Sequence, residues 1–305
     1  MMLNSFQRPA SLSKGDVIAI ISTARKISLD ELKPAIQIIE KLGYKYKLGK
    51  NLFKIENQFA GSRTERAEDL QNAFEDTEVK AILCARGGYG TVQLLPLLDL
   101  EVINKNPKWL IGYSDVTVLH SFLHHNSKIQ TLHASMPINF KDYNTESQSI
   151  KSLFLILEGK TVSYKIPVAK NNRKGDAEGI IVGGNLSIIY SLRGTLADLD
   201  TDNKILFIED LDEYLYHIDR IMMNLKIGGK LDKLKALVVG GMSDMNDNDT
   251  PFGRSAKQII YDAVEEYNYP LVFDFPAGHI SENYAIPMGK KIQIRQDNEF
   301  VYFEM

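Results

Sequence analysis

Ser114, in the segment IGYSDVTVLH, has the surroundings a nucleophile needs. Trp109, Leu110 and Ile111 form a short apolar run, Gly112 permits a tight turn, and Val116, Val118 and Leu119 resume an apolar pattern that suits a helix. A hydroxyl at that corner projects from a strand end beside the free N–H groups of a helix N-terminus. Their partial positive charge favours an oxyanion formed by attack on a carbonyl. The pattern is close to the nucleophile elbow G-x-S-x-G, with Val116 in place of the second glycine. A plainer reading stands beside it, in which Ser114 or Asp115 caps the helix, a far commoner role.

A serine nucleophile needs a base, an acid and an oxyanion site. His133, after a strand near Ser114, and His279, in the loop FPAGHISENYAIPMG, are the two candidate bases, and the residues alone do not choose between them. Glu209 and Asp210 end the apolar run ILFIED, and strand alternation sends them to opposite sides, so one of them faces a given site. Helix capping by Asp210 or Asp212, or metal binding by the cluster, are the competing uses. RGGYG, residues 86–90, follows a buried strand, where open α/β sheets bind ligands, and Gly87 or Gly88 is placed to offer an N–H to an oxyanion. A tight turn alone explains the glycines equally well, and the phosphate-binding spacings G-x-G-x-x-G and G-x-x-x-x-G-K-[ST] are absent. His120 and His124 have the i, i+4 spacing of H-E-x-x-H, but Ser121 stands where the catalytic glutamate belongs, which argues against a zinc peptidase. His125 falls at a helix C-terminus and His217 on a polar helix face.

These groups are carried by alternating strand and helix patterns. DVIAIIS (16–22), YKYKLG (44–49), VKAILCA (79–85) and IQTLHA (129–134) read as strands, and residues 29–43, 62–76 and a stretch from about Thr91 as helices. Such alternation implies a mostly parallel sheet covered on both faces. A helix near Glu146–Leu157 leads to a polar stretch from Thr161, which puts a domain boundary near residue 160, dividing 1–160 from 161–305. Beyond it come a strand, a glycine turn and a helix in AEGIIVGGNLSIIYSLRGT, a strand at 204–210, a helix at 218–229 and a strand at 235–241. LVFDF, KKIQIR and EFVYFEM follow as antiparallel strands.

The chain has 305 residues, 44% hydrophobic and 25% charged, enough for two globular domains. A net charge of −3 argues against nucleic-acid binding. The single cysteine, Cys84, permits no internal disulfide and reads as a buried strand thiol. The N-terminal stretch lacks the apolar region of a signal peptide, and no segment approaches the ~20 apolar residues that span a bilayer, so a cytoplasmic protein with no membrane partner is expected.

Taken in order, RGGYG at 86, GYSD at 112, GGNLS at 183, FIED and IDR within 207–220, and GH at 278 resemble the LD-carboxypeptidase family of serine peptidases, the murein tetrapeptide carboxypeptidases. The resemblance runs from GDVIAIIS to the final strands and includes FAGSRTERAEDL at 59–70. It implies a flavodoxin-like, mostly parallel N-terminal domain, a smaller mixed α/β C-terminal domain, and a homodimer without cofactor or metal. It assigns Ser114 as nucleophile, Glu209 as acid, His279 as base, and the backbone N–H groups of Gly88 and Asp115 as the oxyanion hole. The implied reaction releases terminal D-alanine from a muropeptide substrate. Arg86 and Asn185 are then candidates for the substrate carboxylate, and His133 for a wall or substrate contact. HASMP replaces the His-Gly-Pro-like stretch often found there in the family, which bears on pocket shape. The alternatives are an immunity-type peptidase acting on a peptide–nucleotide toxin, and a non-catalytic binder of cell-wall peptides.

Overall fold

The computed structural model describes residues 6–305, so the first five residues of the stretch read for a signal peptide lie outside it. Two sheets make up the molecule, and the first is built as the alternating pattern requires. Strands β1 (Val17–Ile21), β2 (Lys45–Leu48), β3 (Val79–Cys84), β4 (Trp109–Gly112) and β5 (Thr131–His133) are all parallel, in the order β2-β1-β3-β4-β5. This is the flavodoxin-like order. The connecting helices α1 (Leu29–Lys41) and α2 (Arg63–Glu75) open on reciprocal capping boxes, Ser28 with Glu31 and Ser62 with Glu65. The helix expected from Thr91 is instead a 3₁₀ stretch over Thr91–Leu97 followed by the short α3 (Leu100–Lys105). Pro96, inside this stretch, lacks the N–H that a continuing α-helix would use. From β4 the chain turns into α4 (Thr117–Asn126), and α5 (Gln148–Leu157) ends this half.

The second sheet begins with β6 (Ser163–Pro167) and continues through β7 (Ala177–Asn185), α6 (Leu186–Ser191), β8 (Lys204–Leu211), α7 (Leu215–Ile227), β9 (Ala236–Ser243), α8 (Ala256–Ala263) and β10 (Leu271–Val272). β7, β8, β9 and β10 are parallel, whereas the closing β12 (Lys291–Gln296) and β13 (Phe300–Glu304) are antiparallel to their neighbours. LVFDF therefore differs from expectation: only Leu271 and Val272 form a strand, and it runs parallel to β9. The glycines of GGN also differ, since Gly183 and Gly184 lie inside β7 and make no turn there. A Cβ on Gly183 would come 1.9 Å from the carbonyl oxygen of Phe207, so the adjacent strand admits only glycine.

One short strand ties the halves together. β11 (Ile286–Met288) leaves the second half and pairs antiparallel with β5, completing the first sheet. A single apolar cluster likewise runs through both halves, from Trp109 and Ile111 to Phe207, Phe275 and Phe303. Cys84 is buried in β3, and burial pushes its thiol up to about 12. No helix among the described residues is long and apolar enough to cross a membrane.

Candidate active site

Ser114 stands at the corner between β4 and α4 with φ +61°, a left-handed conformation that costs a non-glycine residue about 1–3 kcal/mol. The corner is tight on both sides: a Cβ on Gly112 would meet Val116 at 2.8 Å, and one on Gly87 would meet the Ser114 Oγ at 3.0 Å. The capping reading does not hold. Tyr113 and Val116 occupy the cap positions, and neither Ser114 nor Asp115 supplies a side-chain cap. Asp115 instead turns its buried carboxylate to the Thr91 N–H at 2.9 Å, bracing the exit of the RGGYG loop. Burial raises its pKa against the opposing pull of Thr91, Arg66 and Arg25.

Glu209 and Asp210 diverge at the end of β8, as strand alternation requires. Glu209 is fully buried, and its Oε2 bonds His279 Nδ1 at 2.7 Å. Its other oxygen has no partner among the described residues, so its charge falls chiefly on the imidazole. Burial opposes protonation of His279, but the hydrogen bond and charge of Glu209, with Asp210 adding, outweigh it and raise the His279 pKa. The neighbouring Asp210 accepts from Asn185 Nδ2 and from the Ser187 N–H and hydroxyl, and burial with the Glu209 charge lifts it to about 6. The His279 loop is pinned at several points. Gly278, at φ +111°, lies so close to Glu209 that a Cβ would come within 2.8 Å of its Oε2. Its N–H donates to Asn283 Oδ1 at 2.9 Å, and the Ser243 hydroxyl donates to the His279 carbonyl at 2.6 Å.

Ser114 and His279 line one cleft of about 220 Å³ between the two halves, together with Arg25, Gly87, Met136 and Leu211. With Nδ1 held by Glu209, the other imidazole nitrogen is the one left for the cleft. Gly88 and Arg86 line it as well. Arg86 is partly engaged, donating to the Lys26 carbonyl at 3.2 Å with Glu31 at 3.6 Å.

Two other expected contacts fall away. His133 is fully buried, wedged between the rings of Tyr113 at 5.7 Å and Phe207 at 5.0 Å, and burial drives its pKa well below the usual value. It is a core residue behind the site and lines no part of the cleft. Asn185 caps α6, its Oδ1 accepting the Ile188 N–H while its amide donates to Asp210, and it does not line the cleft. Its backbone carries a role the sequence did not show. The Asn185 N–H donates to Thr117 Oγ1 at 3.0 Å, and Asn185 is the register partner of Glu209. The start of α4 beside the serine corner is thereby tied to β7, the strand next to the one that carries Glu209. Of the remaining histidines, His120 bonds the Gly112 carbonyl, His124 meets Thr131 Oγ1, and His217 pairs with Glu213. No set of three or more His, Cys, Asp or Glu side chains among the described residues is arranged to hold a metal ion.

Two sheets flank a cleft lined by Ser114, at its left-handed corner, and by His279, whose imidazole is bonded to buried Glu209. The chain belongs to the LD-carboxypeptidase family: residues 18–134 match the family's N-terminal domain and residues 178–294 its C-terminal domain. It is similar to the probable murein peptide carboxypeptidase of Bacillus subtilis, 37% identical over 288 residues that cover 93% of this chain and 90% of the relative. The crystal structure of muramoyltetrapeptide carboxypeptidase from Oxalobacter formigenes matches with a TM-score of 0.86 at 27% identity, over 94% of this chain and 98% of that one. The microcin C7 self-immunity protein of Escherichia coli is 24% identical over 324 residues, 95% of this chain and 93% of the relative.

Proposed function

We propose that the protein is a serine-type LD-carboxypeptidase that releases the terminal D-alanine of a murein tetrapeptide during cell-wall recycling. The observation that carries this reading is the meeting, in one cleft, of Ser114 with His279, whose Nδ1 is held at 2.7 Å by buried Glu209. His279 takes the proton of the Ser114 hydroxyl as its Oγ attacks the carbonyl preceding the D-alanine. Glu209 fixes the imidazole tautomer and stabilises the imidazolium. The backbone N–H groups of Asp115 and Gly88 receive the oxyanion, each such donor being worth about 3 kcal/mol. Collapse of the tetrahedral intermediate breaks the C–N bond, and His279 returns its proton to the leaving amine. Water, deprotonated by the same imidazole, then hydrolyses the acyl-enzyme. Met136 and Ile138 supply an apolar wall suited to a methyl side chain. The family resemblance also supports a homodimer acting in the cytoplasm.

The test is D-alanine release from L-Ala-D-Glu-diamino acid-D-Ala, followed by mass spectrometry, with a peptide–nucleotide toxin in a parallel tube. Release of D-alanine is expected. Ser114→Ala should keep the fold and lose several orders of magnitude in turnover, leaving about 10³–10⁴-fold over the uncatalysed rate. Cleavage of the toxin alone would select the immunity-type reading, and binding of tetrapeptide without cleavage would select a binding protein.

A further inference from the structure

An exopeptidase must distinguish a chain end from an internal peptide bond, and the terminal carboxylate of a leaving alanine is attached one carbon beyond the scissile nitrogen. Its receptor must therefore stand in the same cleft as Ser114. Two arginines line that cleft. Arg86 is tied to the Lys26 carbonyl and lies near Glu31, on the side toward α1. Arg25 is different. Its backbone is fixed, its carbonyl accepting from the Ser22 hydroxyl at 2.6 Å and its main chain bridging to Phe59. Its guanidinium, however, forms no ion pair and donates no hydrogen bond among the described residues. The side chain lies across the glycine turn: a Cβ on Gly88 would come 2.6 Å from Arg25 Cδ and 2.8 Å from Nε. Asp115, the nearby buried acid at the serine corner, is already bonded to the Thr91 N–H.

We propose that Arg25 is the specificity-determining residue that binds the terminal carboxylate of the peptide substrate. A guanidinium offers two parallel N–H donors that match a carboxylate, and an unpaired one in a substrate cleft is the group such a ligand seeks. The glycine at position 88 serves this placement, because any side chain there would push Arg25 off the turn. The inference rests on the carboxypeptidase reading and adds the residue that makes the enzyme act at chain ends.

The experiment compares kcat/KM for the tetrapeptide acid and its C-terminal amide in the wild-type protein, Arg25→Ala and Arg25→Lys. The wild type should prefer the acid. Arg25→Ala should lower kcat/KM for the acid about 10–100-fold, mainly through KM, and leave the amide unchanged, with Arg25→Lys recovering part of the loss. An unchanged acid-to-amide ratio in Arg25→Ala overturns the assignment. Calorimetric titration of the same two peptides into Ser114→Ala and into Ser114→Ala/Arg25→Ala separates this result from the catalytic reading. Tighter binding of the acid that disappears with Arg25 supports the assignment even if the wild type cleaves neither peptide. Equal binding of acid and amide, or no binding of either, overturns it.

Discussion

At the scale of single residues, the chemistry depends on how Glu209 and burial divide control of one imidazole. In the proposed mechanism His279 acts as a base only when neutral, so activity is expected to rise with pH through its pKa, which burial lowers but Glu209 raises, leaving it above the ordinary value of about 6.5. Glu209→Gln removes both the charge and the strong acceptor while leaving the burial that disfavours imidazolium. The acid limb of the kcat/KM profile should then move to below about pH 6.5, together with a fall in the plateau. A limb that stays in place would mean that another group titrates. Arg25 and Arg86 illustrate the same scale in binding, since two cations share one cleft and differ chiefly in whether a protein partner already occupies them.

Elements and the loops that join them set the geometry those residues need. The serine corner is held by glycines at 87 and 112 that leave no room for side chains, and by Asp115, which braces the RGGYG loop through Thr91. On the other side, Gly278 lets the histidine loop lie directly on Glu209. Gly278→Ala combines an unfavourable φ of +111° with a contact of 2.8 Å to the carboxylate, and the loop must move to relieve it. A displacement of about 1 Å can cost about 100-fold in turnover, so a loss of up to that size is expected with far-UV circular dichroism unchanged. The position of His279 against Glu209 in a crystal structure of the variant checks the cause.

For the whole molecule, the decisive feature is that neither half is complete without the other. β11 supplies the edge of the first sheet from the second half, His133 packs against Phe207 across the halves, and one apolar cluster spans both. Unfolding in urea should therefore be a single transition. Trp109, the only tryptophan, is buried in β4 and reports the first half, whereas circular dichroism reports both, so coincident curves are expected. A chain cut after residue 160 lacks β11 and bares the edge of β5, and it should aggregate or unfold without cooperativity. Two separated transitions in the full chain would show that the halves fold independently.

The amino-acid pattern by itself determined what local physics controls. Strand and helix alternation and the serine at a strand–helix corner follow from apolar spacing and the preferences of individual residues. Glu209 and His279 were legible as members of a motif set, because the ordered resemblance spans nearly the entire chain. What tertiary structure alone decided are contacts between residues far apart in sequence. It placed His133 in the core, turned Asn185 into a cap whose backbone N–H bonds Thr117, returned residues 286–288 to the first sheet, and brought Arg25 to the cleft that Ser114 lines. None of these has a local signature, since a histidine, an asparagine or an arginine reads the same in sequence whether its partner is water, a helix end or a substrate.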